Sequence, residues 1–422
     1  MNHLTLLCMI AVPSALAFPF VANLPGVNNE MLEARRAHYN ENQKRQTSCP
    51  VNPNHPGAHK YVAPYLYTGA NHGLPGSGIG GFDVPIPGDP NHYFEAPGSL
   101  DIRGPCPGLN TAANYHFISH DGITTFAELL DAQQNIFNVG YDLAVTLAAI
   151  GVGLTGDIVT EKMSIGCDAT SRTSALGGLQ GVLGKEGGIN DHNKFEQDTS
   201  LSRTDFFFHS DDHTFNASIW KEVTAVTSGF NNLFNRDAMA KIMSERYKDS
   251  AATNPNFYFG PKSVILYGAA SFLYELIPSL GNQGIPTREV VNPFFGAKPD
   301  GSGGFTFVPE KIPDSWDIRP TPFTNADVAA EVVALYSQFP VPLGGNVGIN
   351  NFNAMGSFGT AIQNGKLSLN PKDVKCLLYQ IVTENVPDSL STVLELPLNV
   401  LNFMTGKLNP VFAGSGCPLK LT

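Results

Sequence analysis

Residues 126–150 constrain this chain more than any other stretch. Thr125 followed by Glu128 is the capping-box pattern that opens a helix. From there Phe126, Leu129, Leu130, Phe137, Tyr141, Leu143, Val145 and Leu147 spread from one stripe to almost every face. A helix that is apolar all round must be enclosed by protein or by lipid. A bilayer span needs about 18 or more consecutive apolar residues, and the run from Leu143 to Leu154 is interrupted by Thr146, Gly151 and Gly153. The segment is therefore read as one long helix reaching toward Ile150 at the centre of a protein core, with no membrane span.

Other helices are expected at 216–227, 236–248, 263–276, 325–338 and 373–383, where apolar residues recur at helical spacing. Few stretches alternate strictly, and 42 Gly and 31 Pro without a period imply ordered loops, such as 299–304 and 342–348. An irregular arm spans 49–104. No repeat or composition break divides the chain, so the expected architecture is a mostly α single domain with minor β hairpins and long loops. With 42% apolar and 15% charged residues the chain supports a large core. Its net charge of −11 argues against a nucleic-acid partner.

The apolar run Leu4 to Leu16, followed by Ala15-Leu16-Ala17, reads as a secretory signal peptide over 1–17. Residues 18–45 read as a pro-segment ending at Lys44-Arg45, which leaves 46–422 as the mature, secreted domain. Export permits disulfides and makes Asn216-Ala217-Ser218 a usable glycosylation site.

The sharpest chemical feature is Arg103-Gly104-Pro105-Cys106-Pro107-Gly108-Leu109-Asn110-Thr111. A cysteine between two prolines cannot lie inside a helix or a central strand. Pro107 suits a first helical turn, so Cys106 sits at or just before a helix N-terminus, where backbone N–H groups and the dipole favour a thiolate. Local chemistry leaves two readings, a reactive or metal-ligating cysteine and an ordinary half-cystine. A second cluster, Phe195-Glu196-Gln197-Asp198-Thr199-Ser200-Leu201-Ser202, offers carboxylates and hydroxyls to a hard cation, or forms a solvated turn before Phe206-Phe207-Phe208. His209 and His213 lack the glutamate of a zinc-protease motif and read as an exposed turn. The glycine-rich run 76–81 lacks the strand and helix of a phosphate loop, and no G-x-S-x-G accompanies the histidines.

Taken together these stretches resemble the secreted fungal heme-thiolate peroxidases, the chloroperoxidase and aromatic peroxygenase family. The resemblance rests on Arg103 to Ala113 with its Pro-Cys-Pro triplet, on Asp121-Gly122-Ile123, on 138–144, on Phe195-Glu196-Gln197-Asp198 and on Ser202-Arg203-Thr204-Asp205. It continues through Ala252-Thr253-Asn254-Pro255-Asn256-Phe257 and Tyr267-Gly268, and covers roughly 95–417. It implies the chloroperoxidase-like helical fold, heme b with Cys106 as its axial thiolate, and a magnesium or manganese ion held by Glu196, the Gln197 carbonyl and Ser200. It also implies that Phe195 and Phe272 shape a substrate channel, and that Cys376 and Cys417 form the tail disulfide of the long peroxygenase subgroup. Cys49 and Cys167 are candidates for a second bridge. The implied reaction is oxidation of small organic substrates by hydrogen peroxide, in a monomer or small homo-oligomer.

One position departs from the family. An acid-base glutamate follows the Tyr-Gly pair in the peroxygenases, with an arginine upstream to orient it. Here Ala269 follows Tyr267-Gly268, and Lys262 stands where the arginine would be. Peroxide cleavage needs a group to move a proton between the two oxygens, which alanine cannot do. Lys262 and Glu275 are the remaining catalytic candidates. The alternative is a heme-binding member with weak or no peroxide activity.

Overall fold

The computed structural model describes residues 84–167, 187–277, 284–384 except 315, 317, 320, 347, 349 and 350, and 398–420, together with 28, 30, 31, 33, 34, 37, 49, 50, 52, 54 and 55. The signal-peptide reading of 1–17, nearly all of the pro-segment reading of 18–45 and the glycine run 76–81 lie outside the described residues.

The expected central helix exists, but as two. Helix α1 (Pro107–Asn114) precedes α2 (Phe126–Phe137) and α3 (Tyr141–Thr155). Thr125 caps α2 by accepting the Glu128 N–H, while the Glu128 carboxylate turns to the Thr124 hydroxyl, so only half of the capping box forms. Asn138 ends α2 in the left-handed conformation, φ 51°, which asparagine tolerates better than most residues. The 319–323 segment enters the break: Gly140 N–H donates to the Phe323 carbonyl, Phe323 N–H to the Asn138 carbonyl, and the Asn138 side chain to the Arg319 carbonyl. The apolar pattern runs unbroken because α2 and α3 face one core, so spacing alone did not show the break.

Helix α3 is buried over almost its whole length. It packs against α2, against the strand 162–164, and against the C-terminal helix 398–412. Gly151 and Gly153 permit that closeness. A Cβ on Gly153 would sit 2.1 Å from Met404 Cε, and one on Gly151 would sit 2.7 Å from Met163 Sδ. Beyond α3 follow α4 (Phe206–His209), α5 (Ala217–Thr227), α6 (Arg236–Thr253), α7 (Ile265–Glu275), α8 (Arg288–Phe294), α9 (Asn325–Gln338), α10 (Pro371–Thr383) and α11 (Leu398–Phe412). Helix α9, opened by a complete Thr324–Asp327 capping box, packs on α6, α7 and α10. The side chains at these contacts form one continuous apolar core.

The β structure is confined to small antiparallel pieces: β1 (Ile123–Thr125) with β2 (Lys162–Ser164), a sheet ordered β3 (Tyr258–Phe259), β6 (Gly344–Asn346), β7 (Phe352–Ala354), and the hairpins β4 (Ala297–Pro299) with β5 (Phe305–Phe307) and β8 (Ile362–Gln363) with β9 (Lys366–Leu367). The loop expected at 299–304 is the β4–β5 turn, and the one expected at 342–348 contains β6. Cys49 is bonded to Cys167 beside Ile102 and Ile123, and Cys376 on α10 is bonded to Cys417 beyond α11. Among the described residues no helix is long and apolar enough to cross a membrane.

Candidate active site

Cys106 is the free cysteine among the described residues, and it is the N-cap of α1 with Pro107 in the first turn. Both follow from the Pro-Cys-Pro sequence. The loop before it is closed by Asn110: its Oδ1 accepts the Gly104 N–H at 3.0 Å, and its Nδ2 donates to the Gly104 carbonyl at 2.8 Å. Gly104 has no alternative here, since a Cβ would lie 2.0 Å from the Ile165 carbonyl oxygen. Asn110 Nδ2 also donates to Glu310 Oε1 at 2.8 Å, and Asn114 on the same helix donates to the Glu310 carbonyl.

Burial pushes the Cys106 thiol up, and the Glu196 carboxylate adds to this, while the Leu109 and Gly108 N–H groups and Arg203 pull it down. Arg203 is itself buried, 2% exposed, and donates to the Pro105 carbonyl at 3.2 Å and to the Ser202 hydroxyl at 2.8 Å. A guanidinium held beside a sulfur and two carboxylates, Glu196 and Glu310, supplies the countercharge for an anionic thiolate. Despite this desolvation Cys106 and Glu196 are only half-buried.

The 193–205 loop carries the oxygen donors foreseen in the sequence, but its three carboxylates, Glu196, Asp198 and Asp205, do not act together. Asp198 turns inward, accepting the Phe206 N–H and the Asn254 side-chain N–H, and Asp205 accepts from Thr199 N–H, Ser250 and Asn254. Burial and the nearby Asp205 push Asp198 up to about 7. Glu196 stays at the half-buried edge of the loop, raised by burial and by Asp212 and opposed by Arg203, His192 and the Gln197 N–H. His192 bonds Asp212 through Nδ1 at 2.5 Å and stacks on Phe206. Gln197 accepts the Ser263 hydroxyl at 3.1 Å, and Ser200 gives its carbonyl to Arg246. Thr199, at φ 68°, turns the chain between Glu196 and Ser200.

The two acid-base candidates are not brought together. Buried Lys262, in the 3-10 turn before α7, donates to the Asn193 carbonyl at 3.3 Å and so lies against the Glu196 loop. Glu275 is at the other end of α7, roughly 20 Å along the chain axis, paired with Arg319 at 3.2 Å. Ala269 is exposed and shares a face with Phe272, three residues on. Glu275, six residues on, is rotated away by about 120°. Phe272 is half-buried with its ring edge-on to Phe323 at 6.0 Å, and Phe195 is half-buried at the start of the cation loop. Asn216, the sequon asparagine, caps α5 through Oδ1, which accepts the Ser218 and Ile219 N–H groups. His209 ends the short α4, and His213 pairs with Asp211 in a turn.

The sequence reading did not pick out Glu310; Asn110 entered it only through its backbone N–H in the cysteine motif, where the structure turns the Gly108 and Leu109 N–H groups to the sulfur instead, and Arg203 only within a matching stretch. Glu310 lies 200 positions from Asn110, and only the fold places its carboxylate behind the cysteine loop.

Residues 92–321, more than half of the chain, match the family described as "Peroxidase, family 2". The chain belongs to that family. Dothistromin biosynthesis peroxidase dotB of Dothistroma septosporum is 29% identical over 343 residues, 78% of this chain and 81% of its own length. An aromatic peroxygenase of Coprinellus radians is 33% identical over 189 residues, 44% of this chain and 70% of its own. A chloroperoxidase of Leptoxyphium fumago is 34% identical over 133 residues, 31% and 30% of the two chains. The chain is thus an enzyme of the peroxidase and peroxygenase kind, using hydrogen peroxide on organic substrates, and its family implies heme.

Proposed function

We propose that Cys106 is the axial thiolate of a heme b, and that Glu196, the Gln197 carbonyl and Ser200 hold a magnesium or manganese ion at the edge of the same site. The observation that carries this reading is the free Cys106 thiol at a helix N-terminus, with the Gly108 and Leu109 N–H groups directed to it and the Arg203 charge nearby. The donor chemistry fits: a thiolate suits iron, and the carboxylate, carbonyl and hydroxyl set suits a hard divalent ion. Half-buried Glu196 and buried Asp198 and Asp205 of this loop, with Asp212 beside them, crowd together near Arg203, Arg246 and His192, and a divalent cation would relieve that repulsion. A thiolate-bound heme supplies the oxidising power drawn from peroxide, because the anionic sulfur pushes electron density toward O–O cleavage.

The chain's own residues position that chemistry. Asn110 and Gly104 hold the sulfur's loop, Arg203 balances its charge, and Phe195 and Phe272 offer apolar surface to a small organic substrate. Proton transfer to peroxide falls to a group other than residue 269, with Lys262 the nearer of the two candidates to the Glu196 loop. The two bridges, the sequon at Asn216 and the apolar N-terminal run support a secreted glycoprotein. The test is peroxide-dependent oxidation of small aromatic substrates by purified protein carrying one heme per chain. Loss of that activity in Cys106→Ala is expected; full activity in that variant would contradict the reading.

A further inference from the structure

Behind the far end of the cysteine helix lies a second group of ligands. The Glu95 carboxylate and the His116 and His120 imidazoles place one donor atom each within 4.8 Å of one another. Glu95 belongs to the irregular arm, whereas both histidines lie in the turn that follows α1, an eight-residue helix. The arm is held there by Glu95 N–H donating to the Asn114 carbonyl at 2.8 Å, and by Arg103 donating to the His120 carbonyl and to Asn114. The histidine side chains are about nine-tenths covered, at 10% exposure each, and the Glu95 side chain is half exposed.

We infer that Glu95, His116 and His120 form a binding site for a divalent transition-metal ion of the zinc type. Three observations point to it. His116 Nε2 lies 3.2 Å from Glu95 Oε2, and His120 Nε2 lies 3.3 Å from Asp101 Oδ2. Donors bound at 2.0–2.1 Å in a tetrahedron are separated by about 3.3 Å, so each of these two pairs is spaced as neighbouring ligands of one ion would be. His120 Nδ1 stands 2.9 Å from the Ala113 carbonyl, which only an N–H can satisfy. The other ring nitrogen, Nε2, faces the Asp101 carboxylate. With Nδ1 turned to that carbonyl, Nε2 is the ring atom left to ligate an ion. A backbone carbonyl behind the distal ring nitrogen is also the usual way a ligating histidine is oriented.

The third observation is the stacking of the two imidazoles, with centroids 4.9 Å apart and planes at 25°. The stack sets both rings on one side of the turn, where a single ion can reach a nitrogen of each. Paired imidazole nitrogens with one or two carboxylates select zinc, copper or nickel over magnesium or calcium. The site therefore differs in kind from the all-oxygen set around Glu196. Asp101 or water completes the shell, and the half-exposed Glu95 is the point of entry. The ion would also lie near the C-terminal carbonyls of α1, where positive charge is favoured, and would fasten the arm to the helix that begins at Cys106.

The test uses full-length heme-loaded protein purified without a histidine tag. It is dialysed against zinc, then against buffer without zinc, and zinc is counted per chain, with a parallel titration by cobalt(II) monitored for a tetrahedral absorption band. About one zinc per chain is expected, with a cobalt band and a Tm raised by zinc but not by magnesium. Glu95→Gln, at a half-exposed position that should fold normally, is expected to lower zinc affinity by about tenfold or more, and His120→Asn by about 100-fold. Cys106→Ala should retain its zinc, which separates this site from the heme proposal. Less than 0.2 zinc per chain in the native protein, or unchanged zinc affinity in both Glu95→Gln and His120→Asn, would overturn the inference.

Discussion

Replacing Asn110 by alanine should loosen the cysteine loop more than any surface change near it. Three hydrogen bonds are lost: two between Asn110 and the Gly104 backbone, and one to the Glu310 carboxylate. Buried neutral bonds contribute about 1 kcal/mol each and one to a charged group about 1.5–3 kcal/mol, so the expected loss is about 3–5 kcal/mol. Asn110 and Glu310 are 2% and 1% exposed, so water cannot readily replace the missing partner. Urea denaturation of Asn110→Ala should show the fall in stability with an unchanged m-value, together with weaker heme retention. A loss below about 1 kcal/mol would refute the clamp.

Asn110→Asp adds a sign. It sets a second carboxylate against Glu310, whose own protonation burial already favours. Both acids then have raised folded-state pKa values, so the penalty is full at neutral pH and shrinks as pH falls through them. Asn110→Asp should be less stable than Asn110→Ala at pH 7, with the gap closing toward pH 5. A gap that widens on acidification would contradict the geometry.

Three further outcomes are expected. Removing the Cys376–Cys417 bridge, which spans 41 positions, should cost about 4 kcal/mol in the chain-entropy treatment; equilibrium unfolding of the double alanine variant measures it. Glu196→Gln should reduce magnesium plus manganese from about one per chain to a small fraction and weaken heme retention, read by elemental analysis. Ala269→Glu, combined with Lys262→Arg to orient and ionise it, should raise the rate of the peroxide step by roughly tenfold or more, within the range of general acid-base catalysis. Stopped-flow absorbance at several pH values gives that rate, and no change in a normally heme-loaded variant would mean that another group already serves.

Legibility followed the range of the interaction. The N-cap position of Cys106 was readable because two prolines and a glycine fix it within four residues, and most helices were readable from their 3.6-residue spacing. Helix α11 was missed because Gly406 and Pro410 interrupt that signal, and α8 because it is short and contains Pro293. The division of 126–150 depends on a strap from 319–323, which no local pattern announces. The same holds for the site. Glu196 stood out through the density of oxygen donors around it, but nothing near Glu310 in sequence announces a partner for Asn110. The inward turn of Asp198 is likewise set by Asn254 and the Phe206 N–H.

The central claim is that Cys106 binds the heme iron. The most direct measurement is the optical spectrum of the reduced, carbon monoxide-bound protein, compared with Cys106→His and with Cys49→Ala/Cys167→Ala. A carbonyl band at the thiolate-specific position is expected in the native protein and in the bridge variant, with a shift to the imidazole-type position in Cys106→His. A thiolate-type band that persists unchanged in Cys106→His would contradict it.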